Sequence, residues 1–136
     1  MENKVKHLEM IQGVINRMAA NSFMLKGWAI TLVSGFFALS DKDSNPMYFL
    51  VVYIPIFLFW ILDGFYLRQE RLYRLLFDEI RCKKEEDIDF SMKPIVKNIG
   101  KQNWSSWYKC FISKTEISFY LPLALMSLGI IFVTHR

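Results

Sequence analysis

Three blocks without a single Asp, Glu, Lys or Arg constrain the fold of this 136-residue chain most strongly. They cover residues 27–39, 47–62 and 117–133. By contrast, more than half of the positions in residues 68–89 are charged. A small soluble domain interleaves apolar and polar residues at helical or strand period. The separation seen here predicts an all-α integral membrane protein with a single domain, residues 1–136, and argues against a secreted disulfide scaffold, a disordered tail or a large enzyme.

The lengths of the blocks predict three transmembrane helices. A hydrocarbon core about 30 Å thick requires about 20 apolar residues at about 1.5 Å of rise each. The second helix, residues 47–67, meets this length and follows a turn-forming run that ends in Pro46. The first helix, residues 23–40, includes Lys26, which can reach the lipid headgroups if it lies near the cytoplasmic end. The third helix is predicted for residues 117–133.

Basic residues lie almost entirely on one side of the three predicted helices. With the amino terminus in the cytoplasm, all of the 17 Lys and Arg residues except Lys42 and Arg136 lie inside. The positive-inside rule therefore predicts a cytoplasmic amino terminus and an external carboxyl terminus. Cys82 and Cys110 then face a reducing compartment, so we expect free thiols rather than a disulfide.

The predicted cytoplasmic parts are helical as well. Residues 1–22 are predicted to form an amphipathic helix with one apolar stripe. This helix either packs against the chain's own loop or the bilayer surface, or is a mobile element that docks on a partner. After Gly64 the sequence keeps its helical period without Pro or Gly, so the second transmembrane helix is predicted to continue to about residue 84. Residues 92–114 are predicted to form an interfacial helix. The apolar stripe of residues 1–22 consists of Val5, Leu8, Ile11, Val14, Ile15 and Met18.

Two groups of side chains in these parts are expected to contact membrane lipids. A basic face next to the membrane suits anionic lipid phosphates, and the predicted headgroup residues are Arg68, Arg71 and Arg74. Trp and Tyr beside Lys are typical of an interfacial belt, and the predicted anchors are Trp104, Trp107 and Tyr108. Because acidic residues are interleaved with the basic ones, we do not expect nucleic acid as a direct partner.

Small residues recur every four positions on the first transmembrane helix, at Gly27, Thr31 and Gly35. Such a face allows two helix backbones to approach closely and is a known association surface in lipid. It either packs against the chain's own second or third helix or forms the seam of a homo-oligomer, and the sequence leaves both open.

Charged residues at the membrane edge require partners. Asp63 lies near the cytoplasmic end of the second helix, and Lys26 lies at the same edge of the first. A charge at this depth is costly unless it is paired. The sequence therefore predicts an ion pair between Lys26 and Asp63, or between Arg17 and either Asp63 or Glu70, with a mainly structural role.

The residues form no pattern that is typical of an enzyme. His7 and His135 lie at opposite ends of the chain and, in the predicted topology, on opposite sides of the membrane. The sequence has no Gly-rich phosphate loop, no metalloprotease motif and no predicted pair of acids within the membrane. We therefore expect a protein without catalytic activity, cofactor or metal.

Two stretches resemble a widespread family of small, uncharacterised bacterial integral membrane proteins. They are residues 13–28 (GVINRMAANSFMLKGW) and residues 59–71 (FWILDGFYLRQER). The resemblance covers about the first 80 residues and implies the bacterial inner membrane. It also suggests an association with antiviral defence loci, in which small membrane effectors are released by a cytoplasmic sensor. It implies no catalytic or ligand-binding residue.

Three functions are compatible with this chain, in order of preference. The first is an effector that oligomerises through its first helix and permeabilises the membrane when a cytoplasmic sensor or regulator triggers it. The second is a non-catalytic anchor or scaffold that recruits a cytoplasmic partner, and the third is a subunit of an oligomeric channel or transporter. Three short helices cannot enclose a pore alone, so the first and third functions require several copies.

Overall fold

The computed structural model describes residues 1–40, 45–94, 109–110 and 112–136. Helices account for 86% of these residues, and no strand occurs among them, which confirms the predicted all-α class. Three helical stretches are long and apolar enough to cross a membrane, namely Glu2–Leu39, Met47–Cys82 and Lys114–Thr134.

The first helix, α1, runs without interruption from Glu2–Leu39. The predicted amphipathic helix of residues 1–22 and the predicted transmembrane helix of residues 23–40 are thus a single rod, about 57 Å long at about 1.5 Å per residue. No proline falls within it. It ends at Ser40, whose hydroxyl donates a hydrogen bond to the Phe37 carbonyl oxygen at 2.8 Å.

The second helical stretch is assembled from three consecutive pieces. A short helix α2 (Pro46–Phe49) leads through a 3₁₀ turn (Leu50–Val52) into the long helix α3 (Tyr53–Cys82). The Asn45 side chain accepts a hydrogen bond from the Met47 backbone N–H at 3.0 Å and so caps the start. The helical path ends close to the predicted end at about residue 84.

The last helix, α4, spans Lys114–Thr134. Its N-cap is Ser113, whose hydroxyl accepts a hydrogen bond from the Glu116 backbone N–H at 3.4 Å. The helix therefore begins three residues before the predicted start at residue 117. This shift moves Glu116 from a flanking position into the first turn of a packed helix.

The predicted interfacial helix of residues 92–114 falls mostly outside the described residues. Residues 92–94 are not helical, whereas residues 109–110 are. The predicted anchors Trp104, Trp107 and Tyr108 lie outside the described residues.

The described helices pack around two apolar clusters, which follow one another along the pair formed by α1 and α3. α1 and α3 run antiparallel along their length, and α4 joins them over one half only. The half without α4 has a two-helix cluster formed by Ile11, Ile15, Leu76 and Ile80. The half with α4 has a three-helix cluster formed by Ala29, Val33, Val52, Ile56 and Tyr120. At 21 residues and about 32 Å, α4 matches the thickness of a bilayer core, whereas α1 and α3 extend beyond it.

Part of the apolar stripe at the start of α1 faces the chain's own α3, whereas Val5 is 48% exposed. Ile11 and Ile15 are buried in the two-helix cluster, and Leu8 packs at its edge. Of the interpretations that the sequence left open for this stripe, the structure therefore favours intramolecular packing.

The loop after α3 holds the amino-terminal end of α1. The Glu85 carboxylate accepts hydrogen bonds from the backbone N–H groups of Asn3, at 2.9 Å, and Lys4. The Met1 amino group, followed by these N–H groups, lowers the pKa of Glu85. The carboxylate thus occupies the positive end of the α1 dipole, where a negative charge is stabilising.

Candidate functional site

A cluster of polar side chains is buried where the two-helix half meets the three-helix half. α1 contributes two residues one turn apart, α3 contributes one, and α4 contributes two that are again one turn apart. We call it the junction cluster; its members are Ser22, Lys26, Asp63, Glu116 and Tyr120. The i, i+4 spacing on α1 and α4 directs both side chains of each helix to the same face.

Asp63 is the centre of this cluster and is fully buried. Its Oδ1 accepts a hydrogen bond from the Ser22 hydroxyl, and its Oδ2 accepts one from the Lys26 ammonium. The Tyr120 hydroxyl donates a third to Oδ2 at 3.0 Å. These three donors satisfy both oxygens of the buried carboxylate. The predicted contact between Lys26 and Asp63 is therefore present, and Asp63 connects α3 to donors on α1 and α4.

Glu116 is held much less completely. Its side chain is 1% exposed, and Oε1 lies 3.4 Å from the Lys26 ammonium. Oε2 is buried and has no hydrogen-bond partner among the residues that the structure describes. The ammonium of Lys26, whose side chain is 16% exposed, thus faces two buried carboxyl groups. This pair of acids is not expected from the sequence, in which Glu116 precedes the predicted third helix.

A cleft lined by residues of α1, α3 and α4 leads to the cluster. It encloses about 360 Å³ and brings the polar groups of Lys26, Glu70 and Glu116 to one opening. Its walls are formed by Ala19, Ser22, Phe23, Lys26, Leu67, Glu70, Thr115 and Glu116. Within the described ranges, no group of three His, Cys, Asp or Glu residues is arranged to hold a metal ion.

The other predicted ion-pair residues do not join the cluster's hydrogen bonds. Arg17 is exposed and forms no ion pair with a described residue. Glu70 instead accepts hydrogen bonds from Arg74, one turn further along α3, at 2.8 Å. The alternative pairing of Arg17 with Asp63 or Glu70 is therefore wrong.

The predicted lipid-headgroup residues differ in their surroundings. Arg74 is exposed, whereas Arg68 and Arg71 are half-buried. Arg71 contacts the Cys110 sulfur at 3.5 Å. Burial raises the pKa of the Cys110 thiol, an effect that Arg71 opposes. Arg74 is thus the exposed member of the three, and its guanidinium is engaged by Glu70.

The face formed by the small residues Gly27, Thr31 and Gly35 is open. All three are exposed, and an added Cβ at either glycine would meet no neighbouring atom within 4 Å. The Thr31 hydroxyl is satisfied by the Gly27 carbonyl oxygen at 2.8 Å. The described residues of α3 and α4 therefore do not cover this face. This argues against its packing on the described parts of the chain's own second and third helices.

Shallow apolar cavities flank the open face. One of about 400 Å³ is formed by Phe23, Met24, Gly27, Trp28 and Thr31. Its large side chains are exposed, including Phe23 at 80% and Trp28 at 56%. An apolar surface of this kind is typical of contact with lipid or with another helix.

Comparison with known proteins adds no relative. No family model, no curated protein and no solved structure matches this chain.

Proposed function

We propose that this chain is an integral membrane protein of the bacterial inner membrane, and that it self-associates through the open face of α1 and perturbs the membrane when a cytoplasmic partner triggers it. The observation that carries the proposal is the uncovered surface at Gly27, Thr31 and Gly35. Three helices of sufficient length and hydropathy support the membrane assignment. The one-sided distribution of Lys and Arg supports the cytoplasmic amino terminus.

The packing of the described residues favours an assembly of several copies over a pore within one copy. In the three-helix half, the described core side chains between the helices are mostly apolar, as in Val33, Val52 and Ile56. Such a core leaves no polar path along its axis. A conducting or disruptive species would therefore require several copies around a common axis.

Membrane potential is the quantity that tests the proposed activity. Controlled expression in a bacterial host, followed with a voltage-sensitive dye, should depolarise the cells once the protein and its trigger are both present. The neighbouring genes are supplied in one arm and omitted in the other. Unchanged potential in both arms, with the protein present in the membrane fraction, would refute the effector function.

A single substitution separates association from folding. Gly35→Leu fills the open face at a position where an added side chain meets no atom of the same chain. It should leave the folded monomer intact, because leucine is the better helix former by about 0.8 kcal/mol. It should also abolish crosslinked oligomers and depolarisation.

Gly129→Leu is the matched control. Gly129 lies in α4, is exposed and likewise has no neighbour within 4 Å of an added Cβ. It lacks the four-residue repeat of small residues. Oligomers that survive Gly35→Leu, or that are lost equally in Gly129→Leu, would contradict the assignment of the seam to α1.

A scaffold function is the second candidate, and the two-helix half favours it. Beyond the junction cluster, α1 and α3 continue as a pair held by Ile11, Ile15, Leu76 and Ile80. A rigid helical pair that extends beyond the bilayer offers a platform for a soluble protein. Two results together would favour the scaffold. The membrane potential would stay unchanged, and a bound partner would be lost when the surface of this helix pair is altered, for example by Arg74→Glu.

A further inference from the structure

We propose that the junction cluster is a proton-binding site, in which one proton held on the Glu116 carboxyl locks the start of α4 onto α1 and α3. This inference goes beyond the proposed function, because it holds whether or not the protein permeabilises a membrane. It rests on the geometry of the cluster, on its charges and on the cleft that reaches it.

The junction cluster holds one basic group and two acidic groups. Lys26 supplies one positive charge, while Asp63 and Glu116 supply two carboxyl groups. Both acids are fully buried. An uncompensated buried charge is strongly unfavourable, so the group neutralises instead. One bound proton makes the cluster neutral.

The hydrogen bonds of the two acids assign the proton to one of them. Both oxygens of Asp63 already accept hydrogen bonds, from Ser22, Lys26 and Tyr120, so a proton on either oxygen would compete with a donor that is in place. Glu116 receives only the 3.4 Å contact from Lys26, and its Oε2 is buried without a partner among the described residues. The proton therefore resides on Glu116.

Groups on every packed helix bear on this assignment. Around the Glu116 carboxyl lie Lys26 of α1, Asp63 and Glu70 of α3, Tyr120 of α4 and Cys110 of the segment before α4. Arg68 and Arg71 act on Cys110, and Arg71 donates a hydrogen bond to its sulfur. Glu70 is already engaged by Arg74. Lys26 is therefore the cation that both buried acids share.

The cleft gives a proton access to Glu116, and loss of that proton would move the start of α4. The cleft of about 360 Å³ brings Glu116 and Lys26 to an opening shared with Glu70, which gives a proton a route to the site. Loss of the proton puts a second negative charge beside Asp63. Glu116 would then be driven towards the cleft and water. Because it lies in the first turn of α4, the start of that helix would move with it.

Infrared spectroscopy tests the site directly. The purified full-length protein is studied in a detergent without ester groups, so that the C=O stretch of a protonated carboxyl group is not masked. At neutral pH the wild type should show this band, and it should shift in heavy water. Glu116→Gln should lack it, whereas the matched control Glu2→Gln, on an exposed surface residue, should retain it.

A second variant tests the charge balance itself. Asp63→Asn leaves Lys26 with Glu116 as its sole carboxylate in the cluster, so Glu116 should ionise and the band should disappear. This arm remains informative even if Glu116→Gln fails to fold. A band that persists in Asp63→Asn, or that is absent from the wild type at neutral pH, would overturn the proposal.

Stability against pH gives the third measurement. Because the folded state holds a proton that the unfolded chain releases above the ordinary carboxyl pKa of about 4.3, stability should fall as the pH rises from there until the folded protein also releases the proton. This fall should be missing in Glu116→Gln. Sodium chloride is varied in parallel against choline chloride. Stabilisation by sodium in the wild type without a carboxylic acid band would show a metal cation in place of the proton and would also overturn the proposal.

Discussion

Replacement of Lys26 by methionine removes the single positive charge of the junction cluster. Methionine keeps most of the aliphatic length, so the change isolates the charge from the volume. Asp63 then loses its ion-pair partner, and Glu116 loses the contact at 3.4 Å. Two buried carboxyl groups remain with hydroxyl donors only, from Ser22 and Tyr120.

The magnitude follows from the burial of the three groups. Removal of one member of a buried ion pair costs about 3–5 kcal/mol. The Lys26 side chain is 16% exposed, and protonation of the abandoned acids limits the loss, so we expect about 3 kcal/mol for Lys26→Met. Asp63→Asn should cost less, about 1–2 kcal/mol, because Lys26 keeps Glu116 and the amide oxygen can still accept from Ser22.

The double variant measures the coupling. With both charges removed, the remaining Glu116 can be neutral, so Lys26→Met with Asp63→Asn should be no less stable than Lys26→Met alone. The two single effects should therefore fail to add by about 1–2 kcal/mol. Unfolding of the detergent-solubilised protein, followed by circular dichroism during titration with a denaturing detergent, supplies all three free energies.

A surface lysine controls for the loss of charge. Lys6 pairs with Glu2 at 2.7 Å, and both side chains are more than half exposed. Lys6→Met should therefore cost less than about 0.5 kcal/mol. Strict additivity of the two cluster substitutions, or a loss for Lys26→Met no greater than that for Lys6→Met, would refute the argument that this ion pair holds the three helices together.

Three further predictions follow from other contacts. Leu76→Ala, in the two-helix cluster, should lower the free energy of unfolding by about 2–4 kcal/mol in a denaturant titration. Val5→Ala, on the exposed side of α1, should change it by less than about 0.5 kcal/mol. Tyr120→Phe should cost about 1–2 kcal/mol in the same titration through loss of the hydroxyl bond while the ring stack on Trp60 persists, and an unchanged value would contradict the bond. The pKa of Glu85 is lowered in the fold, so its stabilisation of α1 is present above the ordinary carboxyl pKa and is lost when the pH falls through the lowered value. Amide hydrogen exchange in the first turn of α1 should therefore become faster in acid. Glu85→Gln should abolish this pH dependence.

Much of the helical architecture follows from the distribution of charge along the sequence. Uncharged blocks of 13 to 17 residues cannot be buried by a chain of this length except against lipid or one another, so three long apolar helices result. The boundaries were less accurate. Continuity of α1 through residues 22 and 23 depends on its packing against α3 on both sides of the junction, and this packing is not visible in local propensity.

The candidate site was predicted in part for the same reason. Lys26 and Asp63 could be paired from sequence because each is a lone charge at the same expected depth. Glu116 was assigned to the flank of a helix because an acidic residue there resembles an N-terminal charge. What decides its environment is the cap at Ser113, which starts α4 one turn earlier and turns the carboxyl inward. The adjoining Tyr120, one turn further on, was the signal that a polar face continued into the helix.

The placement of the junction cluster links the two halves of the molecule mechanically. Lys26, which binds Asp63 and contacts Glu116, is followed directly in α1 by Gly27, the first residue of the open face. Adjacent residues on a helix are fixed about 100° apart around its axis. A rotation of α1 that separates Lys26 from Asp63 therefore turns the Gly27, Thr31 and Gly35 face by the same angle. A signal received by the two-helix half, or the loss of a proton at Glu116, would thus change the presentation of the surface through which we propose the copies associate.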